Sequence, residues 1–209
     1  MSIHALIVYI INYILNIVFG VKKQRTGSFI TKTLLTPILL MIYLAGDKEP
    51  ELPVIFALCF CFLGDLFLEY PNFFIPGLLT FLVGHIFYGI SFLSDIGVGS
   101  QLPWWLFLFA IVYIAYGTIF LTRLSVADLK RRVAVSIYCG IILIVSFLSL
   151  LRAGSVTDYS FLMVLMGTLL FIISDSILAY NRFQKRSRYG GVWVMATYGA
   201  AQLMIILGL

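Results

Sequence analysis

Charge is scarce in this sequence: only 11% of its 209 residues are charged, against a hydrophobic share of 62%. Soluble domains carry about a quarter charged residues. The deficit therefore excludes an ordinary water-soluble core and, with a mean hydropathy of +1.06, points to an integral membrane protein. Histidine occurs only as His4 and His85. A hydrolytic zinc site needs about three protein ligands, most often histidines, and a serine triad needs a histidine base beside its serine. Both chemistries lack their parts here. Ser174 adjoins Asp175, but adjacent positions of a helix do not face each other. Cys59, Cys61 and Cys139 all lie in apolar stretches; they form neither a disulfide framework nor a paired metal-binding loop and read as small core residues. Phosphate loops of the P-loop kind and dinucleotide fingerprints are absent. No cofactor or metal is implied.

What the chain does have is long apolar runs, bounded by charges, glycines and prolines. They predict eight spans at about 3–20, 29–45, 52–69, 73–93, 103–122, 132–151, 159–180 and 190–208, each near the 17–25 residues a bilayer needs. Lipid admits only helices or closed barrels, and unbroken apolar runs lack the alternation of a barrel strand. The expected fold is thus all-α, a single polytopic bundle of eight transmembrane helices over residues 1–209. The four-residue link "YPNF" predicts a tight antiparallel hairpin of spans 3 and 4. "SVAD", Ser125 to Asp128, has the pattern of a capping box and predicts a helix start at the interface.

The net charge of +5 does not indicate nucleic acid, because the basic residues cluster in short loops where membrane topology accounts for them. Loops 1–2, 5–6 and 7–8 carry Lys22, Lys23, Arg25, Arg123, Lys130, Arg131, Arg132, Arg182, Lys185, Arg186 and Arg188; the opposite loops carry only Lys48 and Arg152. Eleven against two predicts both termini on the non-cytosolic side. The first apolar run ends at "VKKQR" rather than at a small-residue cleavage site, so it reads as a span and not a signal peptide. Short loops without appended domains suggest a bacterial plasma membrane.

Against this apolar background the polar residues stand out. "FLGDLFLEY" (Phe62–Tyr70) and "IISDSILAY" (Ile172–Tyr180) each set an aspartate behind a small residue, with Leu three and Tyr five places later. At 1.5 Å per residue, Asp65 and Asp175 both lie about 9 Å below the cytosolic ends of their helices. Lys32 lies at roughly 6 Å and Tyr198 at about 11 Å; His85 and Gln202 are deeper, near 18 Å. Asn12 and Asn16, four residues apart, share one face of span 1, and Glu69 follows Asp65 on one face, near the surface. Polar groups from several helices therefore meet in the inner third of the membrane. Each has a structural alternative: Asn12, Asn16 and Gln202 as helix–helix hydrogen bonds, His85 as a packing residue, Lys32 as a snorkelling cation or the salt-bridge partner of an aspartate. The recurrence of the motif 110 residues apart, on helices running the same way, hints at a four-plus-four parallel repeat.

Two carboxyl groups at one depth can divide the work of acid–base hydrolysis, one holding a proton and the other kept ionised by a lysine, with water as nucleophile. The substrate expected is a lipid whose labile bond lies just under the inner-leaflet headgroups, its phosphate attracted by Lys32 and the basic 7–8 loop. A proton-coupled transporter would also use buried acids, although spans 3 and 7 lack central Gly or Pro breaks and the polar layer is one-sided. A non-catalytic lipid-binding protein is the third reading.

"TKTLLTP" (Thr31–Pro37), "LGDLFL" (Leu63–Leu68), "GLLTFLVGHIFY" (Gly77–Tyr88), "ISDSILAYNRF" (Ile173–Phe183) and "TYGAAQLMI" (Thr197–Ile205) resemble, in order, the signatures of the YhhN family of lysoplasmalogenase-like membrane proteins. The resemblance implies hydrolysis of the vinyl ether bond of a lysoplasmalogen, a lysophospholipid, to a fatty aldehyde and a glycerophospho-headgroup. It assigns Lys32, Asp65, His85, Asp175 and Tyr198 to the site; the role of Glu69 stays open. Vinyl ethers hydrolyse by protonation of the β-carbon, which suits Asp175 as acid and Asp65 as stabilising base, or the reverse.

Overall fold

The computed structural model describes residues 3–46, 49–97, 102–185 and 187–209. Lys48 and Arg186, both used in the charge count, lie outside them. The described residues fold into α1 (Ile3–Val21), α2 (Arg25–Leu44), α3 (Leu52–Leu68), α4 (Phe74–Ile96), α5 (Phe109–Arg123), α6 (Leu129–Leu151), α7 (Asp158–Phe183) and α8 (Gly190–Gly208). Short 3₁₀ turns at Pro71–Phe73 and Trp104–Leu108 lead into α4 and α5. Every expected span coincides with a helix to within a few residues once the 3₁₀ leads are counted, and no strand occurs among the described residues. Seven of the helices, with their 3₁₀ leads, are long and apolar enough to cross a membrane. The exception is α3, with 17 residues. Pro53 sits in its first turn and Pro71 follows two residues after its C-cap Glu69, so the chain cannot extend it at either end.

One expected boundary is displaced. The helix that "SVAD" was to start at Ser125 begins at Leu129, with Asp128 as its N-cap accepting from the Arg131 N–H at 3.4 Å. A carboxylate satisfies a first-turn amide as well as a hydroxyl does and also complements the helix dipole.

The bundle is built around two hairpins, α3–α4 and α7–α8. Small residues let the first close: a Cβ on Gly64 would stand 2.5 Å from the Phe81 ring, and one on Gly84 3.1 Å from the Ala57 carbonyl. Backbone cannot rotate aside as a side chain can. Gly84→Val is therefore expected to destabilise the protein by about 1–3 kcal/mol, read as a lower thermal midpoint in detergent.

The twin motifs occupy matching places. Gly64 of α3 packs on α4, while Ser174 of α7 donates to the Val194 carbonyl of α8 at 3.1 Å. Asp65 turns to α2 and Asp175 to α6. Likewise α4 packs on α6 and α8 on α2, the pattern a four-plus-four repeat produces.

Cross-links close both ends. Where the basic loops cluster, Arg182 donates to the Pro71 carbonyl at 2.9 Å and Gln184 to the Arg123 carbonyl at 2.7 Å. At the far end Arg152, read from sequence as a loop charge, is only 1% exposed. It pairs with Asp95 at 2.7 Å, donates to Ser160 Oγ at 2.9 Å and lies 5.3 Å from the Phe92 ring centre. Its charge is neutralised inside the bundle and joins α4, α6 and α7.

Candidate functional site

Asp65 is the most enclosed carboxylate among the described residues, 4% exposed. Lys32 and Thr36, four residues apart, share one face of α2 and both reach it: Thr36 Oγ1 donates to Oδ2 at 3.1 Å, and Lys32 Nζ stands 4.0 Å from Oδ1. From α8, Tyr198 Oη donates to Oδ2 at 2.7 Å. Three helices thus converge on one acid. The threonines of α2 divide by role, since Thr33 bonds back to its own helix at Phe29 while Thr36 bonds across the bundle. Lys32 also lines an open cleft of about 720 Å³ at the basic end, with Glu69, Asn16, Asn181 and Arg188. It therefore connects Asp65 to a water-accessible space.

Asp175 has a different setting. Its Oδ2 accepts from Tyr138 Oη of α6, and both side chains line a narrow groove among α4, α5, α6 and α7 whose walls include Phe74, Leu78, Phe120 and Ile142. Tyr116 of α5 and Ser176 of α7, hydrogen-bonded at 2.6 Å, sit on the same groove. Leu178, one turn beyond Asp175, lines both this groove and the polar cleft.

The two acids have no common hydrogen-bond partner among the described residues. Aromatic contacts run from one to the other. Tyr198 meets Phe171 edge-on at 5.4 Å, Phe171 meets His85 at 4.4 Å, and His85 meets Tyr138 at 5.8 Å. The His85 Nδ1–H donates to the Phe81 carbonyl at 2.8 Å, and its Nε2 has no partner among the described residues. His85 belongs to this aromatic partition and bonds neither acid.

The remaining sequence candidates separate. Asn12 donates to the Thr31 carbonyl at 2.8 Å, and Asn16 to the Ser28 carbonyl and Thr31 Oγ1, each at 2.9 Å. Asn12 fastens α1 to α2 and does not touch Asp65; Asn16 does the same while also lining the cleft. Gln202 accepts from Tyr88 Oη at 2.7 Å, tying α8 to α4. Glu69 faces the cleft. Thr36 and Tyr138, each bonded to an aspartate, were not singled out from the sequence. The spacing of Thr36 from Lys32 was an available signal; Tyr138 offered none.

The chain is 31% identical over 144 residues to lysoplasmalogenase TMEM86B of Homo sapiens, and 29% identical over 144 residues to the Mus musculus protein of the same name. The matched part is 69% of this chain but 57% of either relative, so the alignment spans little more than half the length of those proteins. No solved structure matches it significantly. The model of the YhhN family matches residues 27–209. That segment contains Lys32, both aspartates, both twin motifs and Tyr198, and the chain belongs to the YhhN family.

Proposed function

We propose that this protein is an intramembrane lysoplasmalogenase, hydrolysing the vinyl ether bond of a lysophospholipid to a fatty aldehyde and a glycerophospho-headgroup. The observation that carries the reading is the contrast between the two acids: Asp65 stands beside Lys32 at a polar cleft, and Asp175 beside Tyr138 in an apolar groove. The relatives' name supports the substrate class.

An uncompensated charge in apolar surroundings is costly, so the groove favours a neutral Asp175 that can act as acid. Its proton passes to the β-carbon of the vinyl ether, whose π electrons form the new C–H bond. The ether oxygen stabilises the adjacent cation, and the negative charge of Asp65, kept by Lys32, stabilises it further. Water adds to the α-carbon and gives a proton to Asp65. The hemiacetal hydroxyl then gives its proton to the departing glycerol oxygen as that C–O bond breaks, and the aldehyde is released. One water is consumed; Asp65 ends with a proton and Asp175 without one, and return of that proton resets the pair. Tyr138 and Tyr198 hold the two carboxyls in place.

In this reading the chain is a single bundle in which α3 also spans. Its termini lie outside the cytosol, and the cleft opens toward the cytosolic leaflet of a bacterial plasma membrane. The headgroup enters the cleft and the alkenyl chain lies in the groove, with the labile bond beside Leu178. The test is aldehyde release by purified protein in detergent, followed through a coupled alcohol dehydrogenase. Turnover is expected with lysoplasmenyl lipids and not with their saturated alkyl counterparts. Absence of release from both ethanolamine and choline lysoplasmalogens would overturn the function.

A further inference from the structure

The polar cleft holds an arrangement that the acid–base reading leaves unused. Among the described residues Lys23, Arg25, Lys32 and Arg188 give it four cations, and Glu69 is its one acid. Among the described residues no hydrogen bond or ion pair holds the Glu69 carboxylate. Exposed ion pairs contribute little, and the Glu69 carboxylate is left free to meet a ligand. A second feature points the same way. Asn16, 1% exposed, uses its amide N–H groups on Ser28 and Thr31. Those bonds fix the orientation of the amide and leave Oδ1 with no partner among the described residues. The cleft thus combines a cationic lining with an unengaged carboxylate, and the Asn16 amide whose oxygen lacks a partner forms part of its wall.

That is the complement of a zwitterion: a phosphodiester for the lysines and arginines, and an ammonium for the acceptors. The kind of ammonium is also specified. Quaternary ammonium groups have no N–H and are held by cages of aromatic rings, whereas Phe19 is the only aromatic side chain among the described residues lining this cleft. A primary ammonium donates three hydrogen bonds and suits carboxylate and amide oxygens.

We propose that the cleft is a headgroup site selective for phosphoethanolamine, with Glu69 as the specificity-determining residue. The inference builds on the lipid reading above but does not require turnover. Saturated 1-O-alkyl lysophospholipids provide the test, because a saturated ether has no π bond to protonate and stays intact. Binding to the purified protein would be measured by native mass spectrometry for phosphoethanolamine, phosphocholine and phosphoglycerol headgroups. The ethanolamine lipid is expected to bind about fivefold more tightly than either of the others, the factor that about 1 kcal/mol confers. Glu69→Gln should remove its advantage over the phosphoglycerol lipid. Equal binding of the three headgroups by the unmodified protein would overturn the proposal without any variant being needed, and so would an unchanged ranking in Glu69→Gln. Free glycerophosphoethanolamine displacing the lipid at equal concentration would overturn the lipid as the ligand. If the ranking holds and no aldehyde is released in the turnover assay, the headgroup site stands and the hydrolase reading falls.

Discussion

Asp175→Asn is expected to lower aldehyde release by about 10²–10⁴-fold, the usual contribution of a positioned proton donor. An asparagine keeps the shape of the side chain and can still accept from Tyr138 Oη, but it has no acidic proton for the β-carbon. The fold should survive, since Asp175 is bonded to a single side chain at the edge of the groove. Asp65→Asn should cost activity on the same scale for another reason: Lys32 then faces a neutral amide, and nothing offsets the cation that forms on the substrate. Tyr138→Phe removes one hydrogen bond from Asp175 and should lower the rate about tenfold. If both acids serve one transition state, Asp65→Asn with Asp175→Asn should be hardly worse than the poorer single variant. Full activity in either single variant, measured as aldehyde release per folded molecule, would remove the carboxylate mechanism.

Depth along a helix was readable from sequence, and direction around it was not. Rise per residue put Lys32, Asp65, Asp175 and Tyr198 in one layer, and three of them do meet. The same count set Gln202 deeper, and Asn12 was a candidate on the face of span 1 that it shares with Asn16. The faces they occupy turn Asn12 to Thr31 and Gln202 to Tyr88 instead. Hydroxyl residues were the least legible, because a helical Ser or Thr can always bond back to its own helix. Only the packed bundle separates Thr36, bonded to Asp65, from Thr33, bonded to Phe29. Tyr138 was hidden for a related reason: tyrosine is common in apolar spans, and its role depends on Asp175, 37 residues later in the chain. Helix number came through well, because hydropathy and loop charge are strong signals in lipid. The twin motif came through as well, and its two copies occupy matching places in the packing without having identical partners. Asp65 bonds Thr36 and Tyr198, whereas Asp175 bonds Tyr138. Two copies of one local pattern can thus give one acid a cation and the other an apolar wall.

Arg152 stands just beyond α6, where the sequence put it, but its charge is enclosed rather than exposed, and removing its partner is expected to have the largest effect on stability. Asp95→Ala leaves the guanidinium, 1% exposed, without a counter-charge, and removing one member of a buried pair costs about 3–5 kcal/mol. Ser160 cannot compensate. It accepts from Arg152 and gives its own proton to the Gly208 carbonyl at 2.5 Å, so it carries no charge to the pair. Arg152→Met should be milder. It withdraws the buried cation and keeps much of the volume against Phe92, while Asp95, 22% exposed, can be hydrated at the bundle's edge. Thermal midpoints in detergent should therefore fall further for Asp95→Ala than for Arg152→Met. The reverse order would mean that the guanidinium stabilises the bundle by packing rather than by its charge. Because this pair lies at the end opposite the polar cleft, the fraction of either variant that remains folded should release aldehyde at the rate of the unmodified protein.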